Sequence, residues 1–241
     1  MLKIFGINIR SGSAEDVLKL IDLVISKKTQ VQIATVNNEI LIESRKNKEF
    51  KTALTKSHCI ADSTGVVLAV FFKYFKKIER IPGVDLFYKI CERAQEKNYK
   101  IFLFGGGRGI AHVAKSKLED RYPGIKIVGI IDGDEISPEK TNLVHLTKIN
   151  KSEAQIIAVA LGAPKQELWI RNNMTKIKAN VFIGLGGTLD FVSLNVQRAP
   201  LFIRRLGLEW LFRLIKQPNR FFRIIKAVIV FPFFVLFDST R

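Results

Sequence analysis

Residues 154–187 read AQIIAVALGAPKQELWIRNNMTKIKANVFIGLGG, and this stretch decides the fold. Two continuous apolar runs, AQIIAVALG (154–162) and ANVFIGLGG (179–187), each stop at glycine. Between them a helix begins at Pro164-Lys165-Gln166-Glu167. A strand with one wet face alternates apolar and polar residues, whereas a run apolar at every position is buried on both faces and belongs to a parallel sheet covered by helices. The same grammar continues upstream. VQIATV (31–36), KIFLFGG (100–106) and IKIVGIID (125–132) read as strands, and GVDLFYKICERAQEKN (83–98) and IAHVAKSKLEDRYP (110–123) as helices. SAEDVLKLIDLVISKK (13–28) opens with Ser13 and Asp16 in capping-box spacing and sets Val17, Ile21, Val24 and Ile25 on one face. Ser137-Pro138 marks another helix start. Residues 1–197 are expected to form one α/β domain.

The bulk numbers narrow the setting. At 241 residues, 47% hydrophobic and 25% charged, the chain has a globular composition. Its 39 Lys+Arg against 22 Asp+Glu give a net charge of +17, which draws a protein toward nucleic acid, anionic lipid or phosphorylated substrates. Cys59 and Cys91 sit in apolar stretches and read as inert core thiols, and MLKIFGINIRSGS is too short an apolar run for a signal peptide, so a cytoplasmic setting is expected. His58, His112 and His145 are scattered, and no metal held by protein ligands is expected.

Character changes near Arg198. Residues 198–241 carry nine basic residues against Glu209 and Asp238, interleaved with Phe202, Trp210, Phe212, Phe221 and Phe222. The last apolar run, AVIVFPFFVLF, has eleven residues and contains Pro232, short of the roughly 20 a spanning helix requires. This appendage fits a segment lying in the headgroup region of a membrane. The plainer alternative is a helix pair packed on the core, and no aromatic-strand or glycine-rich RNA signature accompanies the charge.

In an open parallel sheet ligands bind beyond the carboxyl ends of the strands. Five turns fall there: TVNNE (35–39), ADSTG (61–65), FGGGRG (104–109), LGAPKQE (161–167) and LGGTLDF (185–191), and they are expected to converge on one cleft. FGGGRG is not a dinucleotide fingerprint, because Ile110 stands where Gly is required, but its glycines suit either backbone contact with a phosphate or a close-packed turn. DGDE (132–135) reads as a solvated turn, and Lys165 with Gln166 suits sugar hydroxyls and a phosphate. In HCIADSTGVVLAVFFKYFKK (58–77) a strand drops into Asp62 and resumes as an apolar run ending in lysines. Asp62 is either a helix cap or a base.

TVNNEIL, ADSTGVVLA, RIPGVDL, FLFGG, LGAPKQELW, GLGGTLDF, QRAP and GLEWLFRLIKQPNRFFR run in order over nearly the whole chain, and together they resemble the WecG/TagA/CpsF family of bacterial glycosyltransferases. The resemblance implies a Rossmann-like sheet flanked by helices, with a helical C-terminal appendage (198–241) that docks on the inner face of the cell membrane. It implies an inverting, metal-independent transfer of N-acetylmannosamine or its uronic acid from UDP to an undecaprenyl-diphosphate-linked amino sugar, with no cofactor. Self-association in solution is also implied. The family's base falls on Asp62, and its other active-site residues on Thr35, Asn37, Arg80 and Gln166. Substrate contacts are assigned to Gly105, Gly106, Lys165, Gln166, Gly187 and Asp190, with Arg213, Arg220 and Arg223 from the appendage receiving a diphosphate through planar, paired bonds. Two departures, Asp62-Ser63 where relatives carry Asp-Gly and Leu194 where they carry Gly, bear on turn geometry and sugar fit. The rivals from other classes are a membrane- or RNA-binding α/β protein without catalysis and an NAD(P)-dependent sugar dehydrogenase.

Overall fold

The computed structural model describes residues 1–133, 143–205, 207, 209–216, 221 and 225–239. A hairpin, β1 (Lys3–Ile4) and β2 (Ile7–Asn8), is followed by α1 (Ala14–Ser26), β3 (Val31–Val36), α2 (Asn38–Lys46), α3 (Lys48–Thr55) and β4 (His58–Ala61). Next come α4 (Thr64–Tyr74), α5 (Gly83–Lys97), β5 (Lys100–Gly105), α6 (Ile110–Arg121) and β6 (Lys126–Ile131). The chain then forms α7 (Leu143–Lys151), β7 (Ile156–Ala160), α8 (Lys165–Asn173), β8 (Val181–Gly184) and α9 (Thr188–Val192). Beyond these lie α10 (Leu201–Arg205), α11 (Glu209–Lys216) and a terminal helix, Phe231–Leu236.

The expected strands form one parallel sheet, ordered β4-β3-β8-β7-β5-β6. Every residue of β7 and β8 is buried, as the unbroken apolar runs require. Side chains alternate between the faces with the strand period of two. Ile33, Ile60, Ile101, Ile156 and Ile183 meet α1, α5, α6 and α9 on one face. On the other, Ala34, Val36 and Cys59 meet α2, α3 and α4, while Phe102, Val159 and Phe182 meet α7 and α8. Phe104 and Trp169 stack there at 4.1 Å.

These faces create the crevice. The chain leaves β3 into α2 and β7 into α8 on one side, but leaves β8, which lies between them, into α9 on the other. Connections that part in opposite directions leave a gap above the strand ends, the usual ligand position in such sheets. Register sets what meets there: Val36 pairs with Ala61 and Ala34 with Gly184, so the turns after β3, β4 and β8 lie side by side.

Gly6 alone marks the hairpin turn in the sequence. Its central residues Phe5 and Gly6 both have positive φ (52° and 81°), a geometry that ordinarily selects Asn-Gly. Phe5 is held by distant groups: its N–H donates to Asp238 (2.8 Å), and its ring meets Phe231 edge-on at 6.0 Å. Phe231 is 1% exposed and belongs to the core. The last apolar run is therefore split, with Phe231 buried and Phe234 packed against the same core, and Phe233, Leu236 and Phe237 left exposed. Among the described residues no helix is long and apolar enough to cross a membrane. The expected helix start at Ser137-Pro138 lies outside the described residues, and α7 begins at Leu143.

Candidate active site

Above the ends of β3, β4, β7 and β8 opens a cleft of about 830 Å³, lined among others by Thr35, Asn37, Asp62, Lys165, Gln166, Gly187 and Asp190. A smaller lobe of about 300 Å³ adjoins it, lined by Gly106, Gly107, Gly133, Gly162, Gly186 and Gly187 with Lys165 and Asp190. Six lining residues are common to both, Leu161, Gly162, Lys165, Gly186, Gly187 and Asp190. The expected turns converge, on one two-lobed cleft.

Asp62 is not the cap of the helix that follows it. Ser63 caps α4, accepting the Val66 N–H at 3.4 Å, and also donates to Asn38 at 2.8 Å. The Asp62 backbone N–H extends the β3–β4 ladder to Val36 (2.9 Å), while its carboxylate accepts the Gly83 N–H at the start of α5 (2.6 Å). The ladder bond fixes the backbone and the Gly83 bond holds the carboxylate where Asp62 lines the larger lobe. Thr35, 8% exposed, donates to the Gly184 carbonyl at 3.2 Å, tying β3 to β8. Asn37 caps α2 through Ile40 N–H at 3.1 Å. Both side chains reach the cleft while holding its walls.

Gln166 fastens two of the turns. It is 2% exposed, and its amide oxygen accepts from Gly162 N–H (3.2 Å) and Gly186 N–H (2.8 Å). Its amide nitrogen donates to Glu167 at 2.8 Å. Gly184 must be glycine to admit this side chain, because a Cβ there would lie 2.7 Å from the Gln166 nitrogen. Glu167 is fully buried, and burial pushes its carboxyl up to about 7, against the hydrogen bond from Gln166; among the described residues its second oxygen has no hydrogen-bond partner.

Two backbone donors of the glycine turn at the end of β5 already have partners within the protein. The Gly106 N–H is taken by the Ala160 carbonyl (2.8 Å) and the Gly109 N–H by Asp132 (3.2 Å). Gly105, at φ 104°, lies so close to β7 that a Cβ would sit 2.7 Å from the Ala160 carbonyl carbon. Asp134 and Glu135 of DGDE lie outside the described residues.

Arg80 does not line the cleft. It donates to the Arg204 carbonyl at 2.9 Å, across the seam with α10. Beside it Arg198 grips Asp85 through two bonds of 2.6 and 2.8 Å, with Arg204 3.6 Å from Asp85 and Glu209 3.7 Å from Arg198. Burial alone raises the Asp85 pKa, but the Arg198 bonds and the Arg198, Arg204 and Arg80 charges outweigh it and hold it below its ordinary value. This seam was missed in the sequence, although Asp85 stands in RIPGVDL and Arg198 in QRAP. Asn38 makes a second fastening, donating to the Ala227 carbonyl at 2.7 Å. Arg220 and Arg223 lie outside the described residues, as does the side chain of Arg213 on α11, so the expected arginine stripe has no structural description.

This geometry holds an oriented carboxylate beside hydroxyl and amide groups in one lobe, with a glycine-walled lobe carrying Lys165 alongside. It suits proton removal next to a bound phosphate ester. A profile of the glycosyl transferase WecG/TagA/CpsF family matches residues 2–241. The chain is also 36% identical over 202 residues, 83% of its length and 77% of the other, to the N-acetylglucosaminyldiphosphoundecaprenol N-acetyl-beta-D-mannosaminyltransferase of Bacillus subtilis (strain 168).

Proposed function

Because the chain belongs to the WecG/TagA/CpsF family and is a glycosyltransferase, we propose that it moves N-acetylmannosamine, or its uronic acid, from UDP to an amino sugar on undecaprenyl diphosphate, for cell-surface polysaccharide or teichoic acid. The Bacillus subtilis relative is named as an N-acetyl-beta-D-mannosaminyltransferase acting on N-acetylglucosaminyldiphosphoundecaprenol. The observation that carries the reading is the Asp62 carboxylate, aimed by Gly83 N–H at the edge of the larger lobe, with the glycine lobe adjoining.

In the proposed step the acceptor hydroxyl, held near Thr35 and Asn37, gives its proton to Asp62 as its oxygen bonds to the anomeric carbon. The bond from that carbon to the UDP oxygen breaks, and UDP leaves with the electron pair. One displacement inverts the anomeric centre. A base at the nucleophile contributes about 10²–10⁴-fold. Charge growing on the diphosphate needs donors in place beforehand; Lys165 at the first turn of α8, facing both lobes, fits that role together with the appendage arginines. The reaction is proposed to need neither metal nor cofactor and to take place at an anionic membrane surface, where the appendage completes the site.

The test is UDP release with UDP-N-acetylmannosamine and a short-chain lipid-diphosphate N-acetylglucosamine, EDTA present throughout, the product's anomeric configuration read by NMR. Acceptor-dependent release with inversion supports the proposal. Release that vanishes with EDTA and returns with a divalent cation overturns the metal-free mechanism, and a retained anomer overturns the single displacement.

A further inference from the structure

α4 is apolar on both sides. Val66, Ala69 and Val70 are buried against the core, yet Leu68, Phe72 and Phe75 are 47, 66 and 84% exposed. Their i, i+4, i+7 spacing sets them in one line on the outer face. Other surface helices of this chain turn charge outward: α1 exposes Glu15, Asp16 and Lys19, and α5 exposes Lys89, Glu92 and Glu96. A helix apolar all round belongs in a core or against lipid. The one charged residue of α4, Lys73, is turned away from this line, 13% exposed and paired with Asp238 at 2.6 Å.

Phe75 adds a second observation. It ends the helix at φ 52°, a left-handed conformation that is unfavourable for a bulky residue. The ring so placed gains little inside the protein beyond an edge contact with Phe71 at 6.5 Å. Lys76 and Lys77 follow it, both exposed. The terminal helix packs beside α4 and exposes Phe233, Leu236 and Phe237.

We infer that α4 is a membrane-contact element within the catalytic domain itself. It lies in the headgroup region of an anionic bilayer with Leu68, Phe72 and Phe75 inserted and Lys76 and Lys77 among the lipid phosphates. A second copy of the chain is the poorer occupant, since it brings +17 against +17. Eleven residues of helix lying flat run about 16 Å, and Asp62 stands just before the first turn. The contact thus holds Asp62 near headgroup height, where a lipid-linked diphosphate presents its sugar. The inference rests on the proposed lipid-linked acceptor for its purpose, though not for the contact itself.

The experiment compares the full chain with Phe72→Ser/Phe75→Ser. Partition onto phosphatidylglycerol vesicles is measured by flotation, and turnover is measured with a water-soluble short-chain acceptor and with a vesicle-embedded one. The expected result is vesicle partition and embedded-acceptor turnover down about tenfold or more, with soluble-acceptor turnover within about twofold of the parent. Unchanged partition overturns the inference. So does sedimentation in which the substitutions dissociate an oligomer while partition stays intact, which makes the face a self-association surface. Failure of the parent chain on both acceptors counts against the transferase reading, and partition then decides the membrane face separately.

Discussion

Glu167 and Gln166 show at the scale of single residues how the cleft is held in shape. Burial holds the Glu167 carboxyl up to about 7, well above its ordinary 4.5. The folded chain therefore keeps a proton that the unfolded chain releases, and this contribution is fully present below about pH 4.5 and lost as pH rises through 7. Across that window it amounts to about 3 kcal/mol. Glu167→Gln keeps an oxygen for the Gln166 amide and removes the titration, so denaturant unfolding of the variant should lose the downward slope of stability between pH 4.5 and 7. A slope equal to the parent's assigns the titration elsewhere. Gln166→Ala leaves the Gly162 and Gly186 N–H groups and the Glu167 oxygen without their partner. It is expected to destabilise the protein by about 3 kcal/mol, and calorimetry reads this directly. The sequence pointed Gln166 at a sugar; its 2% exposure shows a residue that first fastens the turns after β7 and β8.

Between elements, the connection that matters most is the one from the sheet domain to the C-terminal segment. Arg198 and Asp85 are joined by two charge-assisted bonds at a half-buried seam, and Arg80 reaches across it to α10. Arg198→Ala should loosen α10 and α11 and lower stability by about 1–2 kcal/mol, discounted because Asp85 is 43% exposed. The check is earlier tryptic cleavage after residue 198 with the cleavage pattern of residues 1–197 unchanged. Gly65→Ala inverts a common rule. Alanine in a helix is ordinarily favoured over glycine by about 1 kcal/mol, but a Cβ at Gly65 collides with the Asn38 side chain, which holds the Ala227 carbonyl. Thermal unfolding should show a lower Tm than the parent; a higher one means that Asn38 yields without loss. The two bonds of Ser63, to Val66 and Asn38, give the Asp-Ser departure a structural use at the same seam.

Over the whole molecule, what the sequence announced is what depends on neighbours along the chain. β7 and β8 were legible because burial on both faces forbids alternation, and the five turns were legible because strand ends in a parallel sheet share one edge. What depends on distant partners was not. The Phe5-Gly6 turn is held by Asp238, 233 residues away, and Asp85 is satisfied by Arg198, 113 residues away. No spacing encodes either. For Asp62 the sequence left cap and base both open: Ser63, not Asp62, caps α4, while the Asp62 carboxylate accepts the first N–H of α5 and lines the cleft. The proposed transfer turns on that carboxylate, and its most direct test is acceptor-dependent UDP release by Asp62→Asn. The asparagine oxygen still accepts the Gly83 N–H, and Tm should stay within a few degrees while the rate falls by about 10²–10⁴-fold. A variant that folds as well as the parent and releases UDP within about threefold of its rate contradicts the assignment of Asp62 as the base.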